Sequence, residues 1–301
     1  MKHEKTKLAL IGANSMLARM VKHVVPSAFD VTFFDLPDFD IINRDQLIST
    51  IKSLKPKVIV NCAAHTNVDV CETSEDLALS VNGAGPGYLA DAALETVAIL
   101  VHISTDYVFA GDKSSPYTEN DPTGPISAYG RSKLAGEEAI LQSGIERYFI
   151  LRTSWLYGPG GKNFVETIIR LASEKDELRV VADQVGTPTF TADLATAIFH
   201  LLGTASRMPN VEAPFGLYHF SNDGACSWHQ FAQEIVSLAR ENGLPVKTRL
   251  IVPVRTEEYP LPARRPAYSV MSKDKYRQRT GEVVPDWRES LKRYFAIRKE
   301  I

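Results

Sequence analysis

Tyr129 and Lys133 stand four residues apart in AYGRSK, and STDYVF (residues 104–109) precedes them. On a helix this spacing puts both side chains on one face. A phenol with a pKa of about 10 is a poor acid–base group at neutral pH, and a neighbouring ammonium stabilises the phenolate and lowers that pKa. A Tyr so tuned donates a proton to a nascent alkoxide. Thr105 closes an apolar run, where the carboxyl end of a central strand would bring its hydroxyl to a substrate carbonyl. The chain has eleven tyrosines, so the Tyr–Lys spacing alone is a weak signal. Its place after a strand end bearing a hydroxyl gives it weight. The plainer alternatives are strand-end hydrogen bonding for Ser104 and Thr105, and a capped amphipathic helix for Tyr129.

A second constellation lies near the start, in LIGANSMLA (residues 10–18). A strand-to-helix turn that cradles a dinucleotide pyrophosphate normally carries three glycines. Gly12 supplies the first, which permits the tight turn. Ser15 occupies the second place and Ala18 the third. A single methyl at the third place costs little closeness. Ser15 adds a Cβ, but its hydroxyl is suited to bond a phosphate oxygen at a helix N-terminus. Alone, this stretch reads equally well as a plain turn. Asp35 closes the next apolar run, about 23 residues after Gly12, where an acidic side chain bonds the adenosine ribose hydroxyls. An Asp there leans toward NADH over NADPH.

These residues need a scaffold. Apolar runs at residues 7–12, 30–35, 56–64, 97–105 and 148–153 read as buried strands. Helical periodicity fills the gaps: MLARMVKHVV after the first turn, then residues 44–54, 74–94 and 129–142. Ser74 or Thr73 is placed to cap the third of these helices. Alternation of this kind implies right-handed βαβ units and a parallel sheet. The fold class is therefore α/β, a Rossmann-like doubly wound parallel sheet with a smaller C-terminal substrate-binding domain. The dinucleotide-binding domain spans 1–154 with a return at 190–223, where GLYHF adds one more strand. Residues 155–189 and 224–301 form the substrate domain.

The 301 residues are 44% hydrophobic and 23% charged, enough for a sizeable core. A net charge of −2 argues against a general polyanion binder, so no nucleic acid is expected. Cys62, Cys71 and Cys226 show neither a CxxC pair nor zinc spacing, and read as reduced thiols of a cytoplasmic protein. No run has the length of a membrane span, and the first residues lack the apolar stretch of a signal peptide. No membrane association is expected.

Taken together, the motifs resemble the extended short-chain dehydrogenase/reductases, and most closely the dTDP-4-dehydrorhamnose reductase family. The segments that carry the resemblance run along nearly the whole chain. They are Gly12, NCAAHT (61–66), NVDVCE (67–72), STDYVFAG, SPYTEND, AYGRSKLAGE, LRTSWLYG, Asn163-Phe164, DQVGTPT (183–189) and PARRP (262–266). The resemblance implies hydride transfer from NADPH or NADH to the C4 keto group of a dTDP-4-dehydro-6-deoxyhexose. Tyr129 would protonate the alkoxide. Lys133 would hold the nicotinamide ribose and tune Tyr129, and Thr105 would take a place often held by Ser. It assigns cofactor contacts to Gly12, Ser15, Met16, Leu17, Asp35, Asp40, Ile41, Ala63, Ala64 and Thr66, besides Tyr129 and Lys133. It assigns the dTDP-sugar to Tyr107, Phe109, Trp155, Asn163, Phe164, Arg264 and Arg265. Aromatic faces suit stacking on a sugar or base, and Arg suits a diphosphate. Core packing is the alternative for Trp155, and surface ion pairing for the two arginines.

Two features narrow this expectation. Related sugar 4,6-dehydratases follow the Thr with Asp-Glu, whereas Asp106-Tyr107 follows Thr105 here. A Tyr does not replace a carboxylate base, so plain ketone reduction fits better than dehydration. Some family members place a Glu after the GxPT segment for a divalent ion at a dimer interface. This chain has Thr191-Ala192-Asp193, equally readable as the start of a helix, and no essential metal is expected. A homodimer is compatible with the resemblance. The alternatives are a nucleotide-sugar epimerase, and a binding protein like the regulatory subunit of methionine adenosyltransferase.

Overall fold

The computed structural model describes residues 4–207 and 214–298. The chain opens with β1 (Thr6–Ile11), α1 (Met16–Val24), β2 (Phe29–Phe34), α2 (Arg44–Leu54) and β3 (Val58–Asn61). In β1, Leu8 and Leu10 join the core on one sheet face, while Ala9 and Ile11 join the core on the other. Such two-sided burial explains why the strand reads as a continuous apolar run rather than an alternating one. Each fully buried Leu or Ile contributes roughly 1.5–3 kcal/mol. Ser15 caps α1 by accepting from the Ala18 amide, and Asn43 caps α2 through the Gln46 amide.

Next come α3 (Val68–Cys71), α4 (Glu75–Ala78), a π-helical turn at Leu79–Ala84, and α5 (Gly85–Thr96). The single helix expected over residues 74–94 is therefore interrupted, and neither expected cap forms. Ser74 makes no capping bond, while the Thr73 hydroxyl donates back to the Val70 carbonyl. The π-turn rotates Asn82 inward, where its amide grips the backbone of His65 and the Ser132 hydroxyl. Single π-turns of this kind concentrate at functional sites. Then follow β4 (Ile99–Thr105), a 3₁₀ turn at Asp106–Val108, α6 (Ala128–Gln142) and β5 (Tyr148–Thr153).

Beyond β5 the elements shorten: β6 (Leu156–Tyr157), α7 (Phe164–Glu174), β7 (Glu177–Val181), β8 (Val185–Gly186) and β9 (Thr189–Phe190). The remainder is α8 (Thr191–Arg207), β10 (Gly216–His219), β11 (Cys226–Ser227), α9 (Trp228–Glu241), β12 (Leu250–Val254), α10 (Asp274–Thr280) and α11 (Trp287–Ile297). The central sheet has six parallel strands in the order β2-β1-β3-β4-β5-β10. GLYHF thus supplies the added strand beside β5. The chain direction across the sheet reverses between β1 and β3, and ligands of open α/β sheets bind outside the strand ends at such a point.

A second core gathers Tyr157, Val165, Ile168, Leu178, Phe190, Phe231, Trp287 and Tyr294 from the elements after β5. Tyr276 and Val284, from the C-terminal stretch, pack instead with α1 and α8 against the central sheet. Among the described residues no helix is long and apolar enough to cross a membrane.

Candidate active site

The carboxyl ends of β1, β3 and β4 open into a cavity of about 500 Å³. Thr105 arrives at the end of β4, and Tyr129 and Lys133 project from the first turns of α6. Ser127 caps that helix by accepting from the Gly130 amide at 3.2 Å. Gly130 is required by closeness: a Cβ there would lie 2.3 Å from the Tyr107 carbonyl oxygen. The helix can therefore press its N-terminus against the 3₁₀ turn, and the Tyr107 and Tyr129 rings meet edge to face at 5.6 Å.

Burial pushes the Tyr129 phenol up, while a hydrogen bond with Thr105 acts in the opposite direction. The lowering expected from Lys133 is not what this arrangement produces. The Lys133 Nζ donates to the Ile103 carbonyl at 2.6 Å. Burial also lowers the Lys133 ammonium, to about 8, with Glu137 and Cys62 working against that shift. The Thr105 hydroxyl donates to Asp106 Oδ1 at 3.0 Å and accepts from the Tyr107 amide at 3.2 Å. Asp106 is buried, and burial raises its carboxyl to about 6 against the lowering effect of Ser269 and Thr105.

A further hollow of about 270 Å³ adjoins this cavity at the turn between β1 and α1 and reaches the end of β2, lined by Gly12, Ser15, Asp35, Asp40, Ile41, Ala63 and Ala64. Gly12 holds φ +75°, and a Cβ there would sit 2.4 Å from the Ala63 amide nitrogen. The turn is thus open only to glycine. Met16, Leu17 and Thr66 line the larger cavity. Asp35 accepts from the amides of Asn14 at 2.6 Å and Leu36 at 2.8 Å, so it anchors the glycine turn as well as facing the hollow. The Ser15 oxygen accepts from Ala18, which leaves its O–H as the group to offer a ligand. A cradle closed to any Cβ at Gly12, a helix N-terminus and a carboxylate at the strand end together fit a dinucleotide.

A neighbouring cavity of about 570 Å³ is lined by Phe164, Arg179, Gln184, Trp228, Tyr259, Arg264 and Arg265 among others. Trp155, which lines the catalytic cavity, stacks on Trp228 with ring centroids 3.5 Å apart and planes 9° apart. Phe164 packs on the same Trp228 at 4.6 Å. Trp155 holds φ +46°, a left-handed backbone that a bulky residue rarely adopts and that marks functional sites. Arg265, which lines this cavity, pairs with Asp69 at 2.9 Å, and its charge acts on the Tyr107 phenol of the neighbouring one. Burial opposes it, but the Arg265 guanidinium holds the Asp69 carboxyl below its usual range.

Two of the residues assigned to substrate have their side chains engaged within the protein. Phe109 is fully buried, stacked on Tyr117 at 4.1 Å with the Arg152 guanidinium 5.0 Å from its ring. It belongs to the core because the 3₁₀ turn carries it inward past Tyr107. Asn163 is the N-cap of α7: it accepts from the Glu166 amide and donates to the carbonyls of Gly158 and Gly161. Its part is to shape the glycine loop that faces Met16. Asp193, where the family's metal-site Glu was sought, accepts from Asn222, Ser290 and Arg293 and ties α8 to α11. Among the described residues there is no cluster of metal-ligating side chains.

The sequence reading missed Trp228, Arg179, Gln184, Tyr259 and Asn82. Trp228 had a usable signal, since Ser227 and Gln230 form a capping box and announce a helix starting at the Trp.

Comparison with known proteins carries this geometry to a family. The model of the family described as "RmlD substrate binding domain" matches residues 6–299. A Burkholderia thailandensis protein named dTDP-4-dehydrorhamnose reductase is 42% identical over 295 residues, covering 95% of this chain and 96% of the relative. The chain belongs to this reductase family. A Clostridium acetobutylicum dTDP-4-dehydrorhamnose reductase superposes with a TM-score of 0.90 at 41% identity, covering 98% of this chain and 100% of the other. The Bacillus anthracis enzyme of that name, solved in complex with NADP, gives 0.90 at 40% identity, with 97% and 99% covered. The Rossmann-like α/β architecture expected from the strand–helix alternation is shared by these reductases.

Proposed function

We propose that this protein reduces the C4 keto group of dTDP-4-dehydrorhamnose, or of a closely similar dTDP-4-dehydro-6-deoxyhexose, with a reduced nicotinamide dinucleotide as donor. The observation that carries the reading is the convergence of Thr105, Tyr129 and Lys133 in one cavity, at the sheet's reversal point and beside the Gly12 cradle. When bound, the cofactor supplies a hydride to the carbonyl carbon. The residues of the chain do the rest. Tyr129 gives its proton to the developing alkoxide oxygen. Its raised pKa suits this direction, because the phenol keeps its proton at neutral pH and yields it only to a far stronger base. Thr105 is oriented by Asp106 and the Tyr107 amide, so that its oxygen faces Tyr129. Lys133 stands on the same helix face to hold the nicotinamide ribose.

The aromatic trio of Trp155, Trp228 and Phe164 offers faces for the sugar and thymine, and Arg264 with Arg265 offers charge for the diphosphate. Asp35 disfavours a 2′-phosphate, so NADH is expected to serve at least as well as NADPH, although a relative has been solved with NADP. The test is spectrophotometric oxidation of NADH or NADPH on addition of dTDP-4-dehydrorhamnose. No turnover, together with tight binding of a methionine adenosyltransferase, would replace the enzyme by a regulatory subunit.

A further inference from the structure

Asn61 and His102 form a buried row with Lys133, and the reduction as described above gives neither of the first two a part. All three are at most 2% exposed. Asn61 closes β3 and His102 lies beside it on β4. The Asn61 side-chain oxygen accepts from the Ala63 amide at 3.0 Å, which fixes the orientation of its amide group. Its Nδ2 then faces His102 Nδ1 at 3.1 Å. An amide nitrogen only donates, so His102 Nδ1 must accept, and the ring proton of a neutral imidazole is forced onto Nε2. Nε2 lies 3.4 Å from Lys133 Nζ. The imidazole stays neutral, because burial and the nearby Lys133 both hold its pKa well below the ordinary value.

An ammonium at Lys133 has only protons to present, so it meets the His102 Nε2–H donor to donor. An amine has a lone pair that accepts that proton. The Ile103 carbonyl accepts from Lys133 in either state. We propose that Asn61 and His102 are a positioning pair for Lys133: Asn61 selects the His102 tautomer, and the Nε2–H so presented disfavours the ammonium until a ligand in the cavity supplies acceptors. Two other titratable groups act on Lys133. Cys62, after β3, is held as the neutral thiol by burial, which pushes it up to about 12. Glu137, one turn along α6, favours the ammonium, but its carboxylate is engaged by Arg152 and Ser104. Burial sets most of the Lys133 shift, and the histidine adds to it. The pair would keep Lys133 near the point of titration, able to take up and return the proton that Tyr129 exchanges. That consequence rests on the reductase reading; the tautomer and the Lys133 protonation are properties of the free protein.

The experiment is 15N NMR on the ligand-free protein, with the Lys133 Nζ resonance assigned by its loss in Lys133→Arg. The His102 ring should carry its proton on Nε2, and Lys133 should titrate near 8. His102→Gln places a carbonyl oxygen where Nε2–H stood and should raise the Lys133 midpoint by about one unit, a tenfold change. Asn61→Asp accepts a proton from His102 Nδ1, reverses the tautomer and should move the midpoint the same way. A wild-type His102 protonated on Nδ1 overturns the proposal without any variant, as does a Lys133 midpoint unchanged in both variants. Failure to reduce any dTDP-sugar would sink the reductase reading and leave these NMR results standing.

Discussion

Glu137→Gln isolates the interaction that holds α6 to the sheet. Glu137 takes two bonds from Arg152, at 2.9 Å from Nε and 2.6 Å from Nη2, and a third from the Ser104 hydroxyl at 2.5 Å. Both side chains of the ion pair are 5% exposed or less. Breaking a buried pair by removing one charge costs about 3–5 kcal/mol, because the other charge stays buried without a partner. Among the described residues Arg152 Nη1 already has no hydrogen-bond partner, so the guanidinium has little left to compensate with. Gln keeps an acceptor for Ser104, which places the expected loss near the low end, about 3 kcal/mol. At roughly 2–4 °C per kcal/mol this lowers Tm by roughly 6–12 °C. Urea titration and calorimetry read it directly. The double variant Glu137→Leu with Arg152→Met should regain most of the loss, since an apolar pair of similar volume is close to neutral. A single variant that loses under about 1 kcal/mol would refute the reasoning, because the pair would then not be desolvated as its burial implies.

Three further outcomes are expected. Asp106 has a folded pKa of about 6 against 3.8 unfolded, so between those values the unfolded chain releases the proton that the folded one keeps. Its contribution to stability therefore falls as pH rises from about 4 to 6; Asp106→Asn should flatten that stretch of the stability–pH curve, and an identical slope in both proteins would discount the burial. Asp35→Ala removes a negative charge facing the adenosine end and should shift preference toward NADPH by about tenfold in the ratio of kcat/KM values; no change would show that the carboxylate serves only to anchor Asn14 and Leu36. Trp228→Ala strips the stack from Trp155 and should raise KM for the dTDP-sugar by about tenfold with kcat within a few-fold; a loss confined to kcat would mean that the stack positions the reacting centre instead.

The strands and helices of the first half were legible because two-sided burial leaves plain apolar runs. Residues 44–54 and 148–153 fold as the very elements the pattern predicts. Tyr129, Lys133 and Thr105 were legible for the same reason, since element ends can be counted along an alternating chain. The π-turn at Leu79–Ala84 was not, because its apolar spacing matches that of the helix around it. The second core was harder still. Strands such as Leu156–Tyr157 and Thr189–Phe190 are two residues long and carry no period. The stacked Trp155 and Trp228 come from distant segments that only tertiary folding brings together. Phe109 was placed at the ligand by its motif, yet a motif does not separate a side chain on the cavity wall from one buried behind it.

The assignment of the reaction is tested most directly by a single turnover with cofactor deuterated at the transferable position and dTDP-4-dehydrorhamnose, the product being read by NMR. Deuterium should appear at C4 of the sugar, with the rate falling roughly 10²–10⁴-fold in Tyr129→Phe while cofactor binding persists. Deuterium at any other carbon, or full-speed transfer by Tyr129→Phe, would contradict it.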